Sequence, residues 1–178
     1  MSIEKLESML LSGNSRFNVG LIANYIGADE GLFCQLIGLI HHGKQPIPQR
    51  ASWVMTAVTD KYPWIIMPYL SEITDRLPGY SSIHPSLARN TLRQLAQIDI
   101  PEELMGKIFD SCYHFLNDKK QPIAIRVFSM QVLYNISVKE PELQAELKLI
   151  IESHLDEASA GFANRAGKLL KKLNKQTI

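Results

Sequence analysis

The chain of 178 residues is short of the features that fix a protein's class quickly, and each shortage excludes something. It holds only two cysteines, Cys34 and Cys112, far apart along the sequence. A disulfide framework is thereby excluded, and a reducing, cytoplasmic setting is expected. Neither charge sign is in surplus, with 19 Lys and Arg against 18 Asp and Glu. Such a balance creates no general attraction to nucleic acid or acidic lipid. Long apolar runs are missing too: Leu32 to Ile40 is broken by Gln35 and Gly38 and falls well short of the roughly 20 residues a membrane span needs. Met1 to Leu11 is amphipathic and partly acidic, unlike the basic-then-apolar pattern of an export leader.

Sequence signatures of catalysis are equally scarce. There is no dinucleotide-binding glycine pattern, no phosphate-binding P-loop, no serine-hydrolase elbow and no paired-histidine zinc motif. The histidines His41, His42, His84, His114 and His154 never stand one turn from another His or from a Cys. Asp110 and His114 are one helical turn apart, but no third ligand follows at a familiar spacing, so they read as a solvated pair. Both cysteines fall in apolar stripes, where a thiol acts as a small hydrophobe with a high pKa. Gly20, Gly27, Gly31 and Gly38, at gaps of seven, four and seven, suit close helix packing or helix ends. A phosphate cradle would need consecutive backbone amides instead. No catalytic residue, metal site or cofactor is therefore expected.

What the sequence does contain is a repeat. With 46% hydrophobic and 21% charged residues it can bury a core. Five segments share one layout: an amphipathic helix, a short polar or Gly/Pro-bearing loop, then an Arg opening a second amphipathic helix. The arginines are Arg16, Arg50, Arg89, Arg126 and Arg165, spaced 34, 39, 37 and 39 residues apart. Prolines mark joints between units at Tyr62-Pro63-Trp64, Ile100-Pro101-Glu102 and Glu140-Pro141-Glu142. The periodicity predicts ten helices and no sheet: 2–11, 15–27, 30–42, 47–60, 64–77, 85–98, 102–116, 122–138, 142–155 and 160–174. Pro68 is expected to kink or shorten its helix, and Pro78 to Pro85 to form a loop. Because a lone hairpin buries little apolar surface, the hairpins 2–27, 30–60, 64–98, 102–138 and 142–174 should stack into one all-α domain over 1–178, a right-handed α-α superhelix or solenoid.

Asp118 with Ile125-Arg126, Asp156 with Arg165, and Asp75 with Ala88-Arg89 follow the loop-Asp and hydrophobic-Arg pattern of HEAT repeats, so the chain resembles that armadillo-like group. Ser12-Gly13-Asn14 and His42-Gly43-Lys44 depart from it in lacking the loop Asp. Arg89-Asn90-Thr91-Leu92-Arg93, Ile100-Pro101-Glu102-Glu103-Leu104, Pro122-Ile123-Ala124-Ile125 and Ser159-Ala160-Gly161-Phe162 also resemble a family of uncharacterised bacterial HEAT-like proteins. That resemblance covers most of the chain and implies no activity.

The arginine series reads as a set of structural bridges between repeats, since buried guanidinium groups need carbonyl or carboxylate partners. Charge is uneven at one end. Residues 140–157 hold six acids and Lys148, whereas 158–178 hold Arg165, Lys168, Lys171, Lys172 and Lys175 with no acid. Attraction between the two helices of that last hairpin is the simpler account.

Second helices of stacked hairpins line the concave side, and there Asn90, Arg93, Gln94 and Gln97 form a polar stripe, with Met55 before it and Gln131 and Tyr134 after it. This mixture suits a protein or peptide contact. Arg93 and Tyr134 are the expected anchors, dispensable for folding. The function expected is a noncatalytic scaffold or adaptor. The alternative from another class is a HEAT-like DNA glycosylase or other nucleic-acid binder, for which Trp53, Trp64 and Asp99 are the only candidates. Too few cations on the inner helices make nucleic acid the less favoured partner.

Overall fold

The computed structural model describes residues 3–156 and 158–176, with no account of the Gln176 side chain. Ser2, the expected start of the first helix, and Glu157, one of the six acids, lie outside the described residues. The helices are α1 (Ile3–Leu11), α2 (Arg16–Ile26), α3 (Glu30–His42), α4 (Ile47–Thr59), a 3-10 helix (Pro63–Tyr69), α5 (Leu70–Ile83), α6 (Pro85–Leu95), α7 (Glu102–Asn117), α8 (Ile123–Lys139), α9 (Leu143–Ser153) and α10 (Ala160–Gln176). Among the described residues there is no strand, so the all-α expectation holds.

Local chemistry accounts for many of the boundaries. The Ser15 hydroxyl accepts the Asn18 N–H at 3.1 Å and the Asp29 carboxylate accepts that of Leu32 at 2.9 Å, satisfying amides that a helix N-terminus leaves open. Gly27 ends α2 with φ at +54°, a conformation in which a Cβ would be strained. Pro101 and Pro122 stand immediately before α7 and α8, where a missing N–H costs nothing.

Two expectations around prolines are corrected. The stretch expected to begin an α-helix at residue 64 is instead a 3-10 helix, with Pro63 and Pro68 both within it and α-geometry starting only at Leu70. The loop expected from Pro78 to Pro85 is mostly helix, because α5 runs on to Ile83 with Pro78 inside it. Pro78 itself is exposed, while Leu77 and Tyr80 on either side are buried. Their burial, and the bond between the Tyr80 hydroxyl and His41, offset the lost backbone hydrogen bond.

The chain falls into two compact units, one up to Gln94 and one from Leu95 onward. In the first, α1 packs on α2 and α3 on α4, and α2 and α4 lie side by side. Leu10, Ile22, Phe33, Leu36, Val54 and Leu77 are among its core residues. In the second, α7 packs on α8 and α9 on α10, and α8 also contacts α10. Ile108, Phe115, Leu133, Ile151, Phe162 and Leu169 are buried there. Each unit thus places the second helices of successive hairpins next to one another, and polar side chains at those contacts have a neighbour to meet.

Candidate functional site

The polar stripe on α6 is largely closed. Asn90 is 4% exposed and donates from Nδ2 to the Ser52 hydroxyl on α4 at 3.0 Å. Gln94, 2% exposed, donates from Nε2 to the Thr56 carbonyl at 3.4 Å. Arg93 reaches the Asp60 carboxylate through Nη2, at 2.8 and 3.1 Å to its two oxygens. Ser52, Thr56 and Asp60 are one turn apart, so the two helices are joined by a ladder that satisfies buried polar groups. Asn90 and Gln94 therefore do not lie on an open face, and Met55, also on α4, is buried in the core. Gln97 is exposed but lies beyond the end of α6, in the second unit.

Beside that ladder is an open groove of about 530 Å³. Arg16, Val19 and Gly20 of α2 form one wall, Trp53, Thr56 and Ala57 of α4 the floor, and Arg93 of α6 the other wall, with Asp60 and Lys61 at the end of α4. Trp53 is half-buried and Arg16 exposed. Lys61 donates to the Asn24 side-chain carbonyl at 2.7 Å, and Asp60 is held by Arg93. Arg16 makes no hydrogen bond or ion pair among the described residues. The groove thus carries three cations against one carboxylate. A Cβ added at Gly20 would meet nothing within 4 Å, so the glycine leaves this wall open.

The second unit builds its inner contacts from the same materials. Arg165 donates to the Gln131 side-chain carbonyl at 2.9 Å, Gln131 donates to Asn135 at 2.8 Å, and Asn135 donates to the Ala96 carbonyl at 3.0 Å. Tyr134 is buried at 8% exposure, with the Lys172 ammonium 5.4 Å from its ring centre. Its ring is thus part of the core rather than of the open face expected from the sequence. A smaller apolar pocket of about 280 Å³ lies between Ile98, Ile100, Met105 and Ile136, with an ion pair of Asp99 and Lys139 at its rim.

A family model for the HEAT repeat domain matches residues 6–173, nearly the whole chain. The chain belongs to the HEAT repeat domain family. Its class is accordingly that of the helical solenoids, as the arginine spacing implied. No curated protein and no solved structure matches it.

Within this HEAT chain the arginine series has mixed fates. Arg50 donates to the Leu10 and Leu11 carbonyls of the preceding hairpin at 2.9 and 3.2 Å. Arg126 donates to the Leu116 carbonyl at 3.0 Å and lies over the Phe162 ring, 4.8 Å from its centre. With Arg165, these bear out the bridging role. Among the described residues Arg89 reaches only its neighbour Asn90, at 3.3 Å, and Arg16 bridges nothing. The loop carboxylate Asp118 accepts the Lys120 N–H at 2.9 Å and the Gln121 amide at 3.0 Å, and these bonds hold it below the usual carboxylate range.

The remaining candidates do not assemble into a reactive centre. Cys112 is buried among α7 and α8 residues, and burial pushes its thiol up, as expected. Cys34 is a correction: it is exposed, because α3 turns Phe33, Leu36, Ile37 and Ile40 inward and position 34 falls outside that arc. Its thiol meets the Tyr69 hydroxyl, which is pushed up to about 12 by burial and by that bond. Trp64 is exposed, edge-on to Tyr62 at 5.3 Å, and is not a lining residue of the groove that holds Trp53. Asp110 and His114 are exposed. No group of three or more His, Cys, Asp or Glu among the described residues is placed to hold a metal ion. No helix among them is long and apolar enough to cross a membrane.

The groove residues that sequence reasoning missed are Asp60, Lys61, Val19 and Gly20, while Arg16 had been read as a bridge. The hydrogen bonds of Arg50, Arg93, Asn135 and Arg165 all reach back 33 to 40 residues, about one repeat, and no sequence signal set Arg16 apart from these bridging residues.

Proposed function

We propose that the chain is a noncatalytic, cytoplasmic scaffold that binds another protein through the groove of its first unit. HEAT repeats generally serve as protein-interaction scaffolds, which supports the class of function. The observation that carries the more specific reading is the groove itself, where the Arg16 guanidinium of α2, without a partner among the described residues, lines the same opening as the half-buried Trp53 indole of α4, a helix joined to α6 by the ladder of Ser52, Asn90, Thr56 and Gln94. A rigid wall loses little entropy on binding, and arginine and tryptophan are the side chains that most often dominate interface energetics. Of the concave-face residues expected from sequence, Arg93 and Asn90 line this groove, and Arg93 is the charged one. It is now one wall of a site whose other wall is Arg16.

A peptide array of protein-derived segments, probed with the wild-type chain and with Gly20→Leu, tests this. Gly20 lines the groove and a Cβ there meets nothing within 4 Å, so leucine at position 20 should block the captured segments while the melting temperature is kept. Capture of the same segments by both proteins would place the binding surface elsewhere.

A further inference from the structure

We infer that the occupant of this groove is a short acidic segment of a partner protein, with apolar side chains interleaved among its carboxylates. The inference rests on the scaffold reading and adds the chemistry of the ligand to it.

Charge complementarity is the first argument. Arg16, Lys61 and Arg93 stand against Asp60 alone, in a chain whose overall charge is only +1. The positive charge is therefore a local property of this groove. The cations are also unequal. Arg93 is committed to Asp60 in a two-oxygen contact, and Lys61 is held by a neutral amide that does not discharge it. Arg16 has no partner among the described residues. A planar fork left without an acceptor on an exposed wall matches a carboxylate, which it can hold through two parallel hydrogen bonds.

The second argument separates a peptide from a nucleic acid. A strand of nucleic acid brings regularly spaced phosphates and only weak donors along its backbone, so its groove should be cationic throughout. Here Asp60 stands in the lining with 41% of its side chain exposed, an acceptor for which a phosphate backbone has no N–H to offer. A peptide backbone is different because each residue supplies an N–H. Asp60 can accept such an N–H while Arg16 and Lys61 hold the carboxylates on either side.

Apolar groups in the same groove supply the rest. Trp53, Ala57 and Val19 offer an indole and aliphatic carbon between the charged groups, suited to a leucine or phenylalanine side chain between two acids. The open position above Gly20 gives that side chain its room.

The test is fluorescence anisotropy with four labelled probes: a short peptide alternating leucine with aspartate or glutamate, its asparagine/glutamine analogue, its lysine analogue, and a single-stranded oligonucleotide of similar length. The acidic peptide should bind wild type, at least about tenfold more tightly than either analogue and than the oligonucleotide. Arg16→Ala and Gly20→Leu should each weaken it about tenfold or more without lowering the melting temperature. Gly106→Leu, at an exposed position in the other unit that is equally open to a new side chain, should leave it unchanged. Tighter binding of the neutral or basic peptide, still lost in Gly20→Leu, would overturn the acidic preference and leave the scaffold reading standing. Tighter binding of the oligonucleotide, no binding of any probe, or acidic-peptide binding indifferent to both groove variants would overturn the proposal outright.

Discussion

Arg165 in the second unit and Arg16 in the first belong to the same spaced series of arginines, yet of the two only Arg165 finds a partner among the described residues. Arg165 finds Gln131 one repeat earlier and is held at 2.9 Å. Arg16 finds nothing among the described residues and faces the groove. The contrast extends to the amides, since Asn90 and Gln94 are closed in under the α4–α6 ladder, whereas Gln131 and Asn135 are half-buried in theirs. A polar residue on the second helix of a HEAT hairpin is thus structural wherever an earlier repeat offers it a partner.

The largest expected effects concern the core under these ladders. Leu133→Ala, fully buried in α8, should cost about 2 to 5 kcal/mol in denaturant unfolding. Tyr134→Ala should cost on the order of 3 kcal/mol, and a loss below about 0.5 kcal/mol would show that its ring belongs to the surface. The ladders come next. Asn90→Ala leaves the Ser52 hydroxyl buried without its donor and should cost about 1 to 3 kcal/mol, against about 0.5 to 1.5 for Gln131→Ala in the more open ladder. Equal costs would remove the distinction between a closed and an open ladder.

A pH effect is expected in the first unit. His41 has a side chain only 1% exposed, with Nδ1 donating to Glu72 and Nε2 accepting from the Tyr80 hydroxyl, both at 2.8 Å. Burial holds the imidazole below its ordinary 6.5, although Glu72 opposes the shift, and Arg76 and His42 act in the same direction as burial. The unfolded chain therefore takes up the proton first. Stability contributed by the neutral ring is present above about pH 6.5 and is lost as the pH falls below it. A urea titration at several pH values should show this loss, and His41→Gln should flatten it. The smallest effects are expected at the groove. Arg16→Ala should change stability by less than about 0.5 kcal/mol and Arg93→Ala by about 0.2 to 1.

The helices were legible in the sequence because apolar spacing and proline placement both report on local structure. Pro68 shortened the start of its helix as expected, whereas proline misled at Pro78 to Ile83, where Leu77 and Tyr80 are buried and Tyr80 meets His41 far back along the chain. The site was legible only in part. Residue type and helical face put Arg93 on an opening, which it lines, but the same reasoning put Asn90, Gln94 and Tyr134 on an open surface, and these are buried, since a polar stripe looks the same whether it meets water or a neighbouring helix. Asp60 gave no warning because it joins the site only through the pairing of α4 with α6. Cys34 shows the limit in reverse: an apolar-looking stripe does not say where its edge falls.

The account rests on the groove between α2, α4 and α6 being the binding surface, and Trp53 is a reporter already placed inside it. In Trp64→Phe the indole of Trp53 is the only one in the chain. Titrating that protein with the acidic peptide while following tryptophan emission and peptide anisotropy together is the most direct test. The account expects both signals to saturate at the same concentration, with the Trp53 emission shifted as its ring is covered. A saturating anisotropy signal with unchanged Trp53 emission would mean that the peptide binds away from the groove, and would contradict the account.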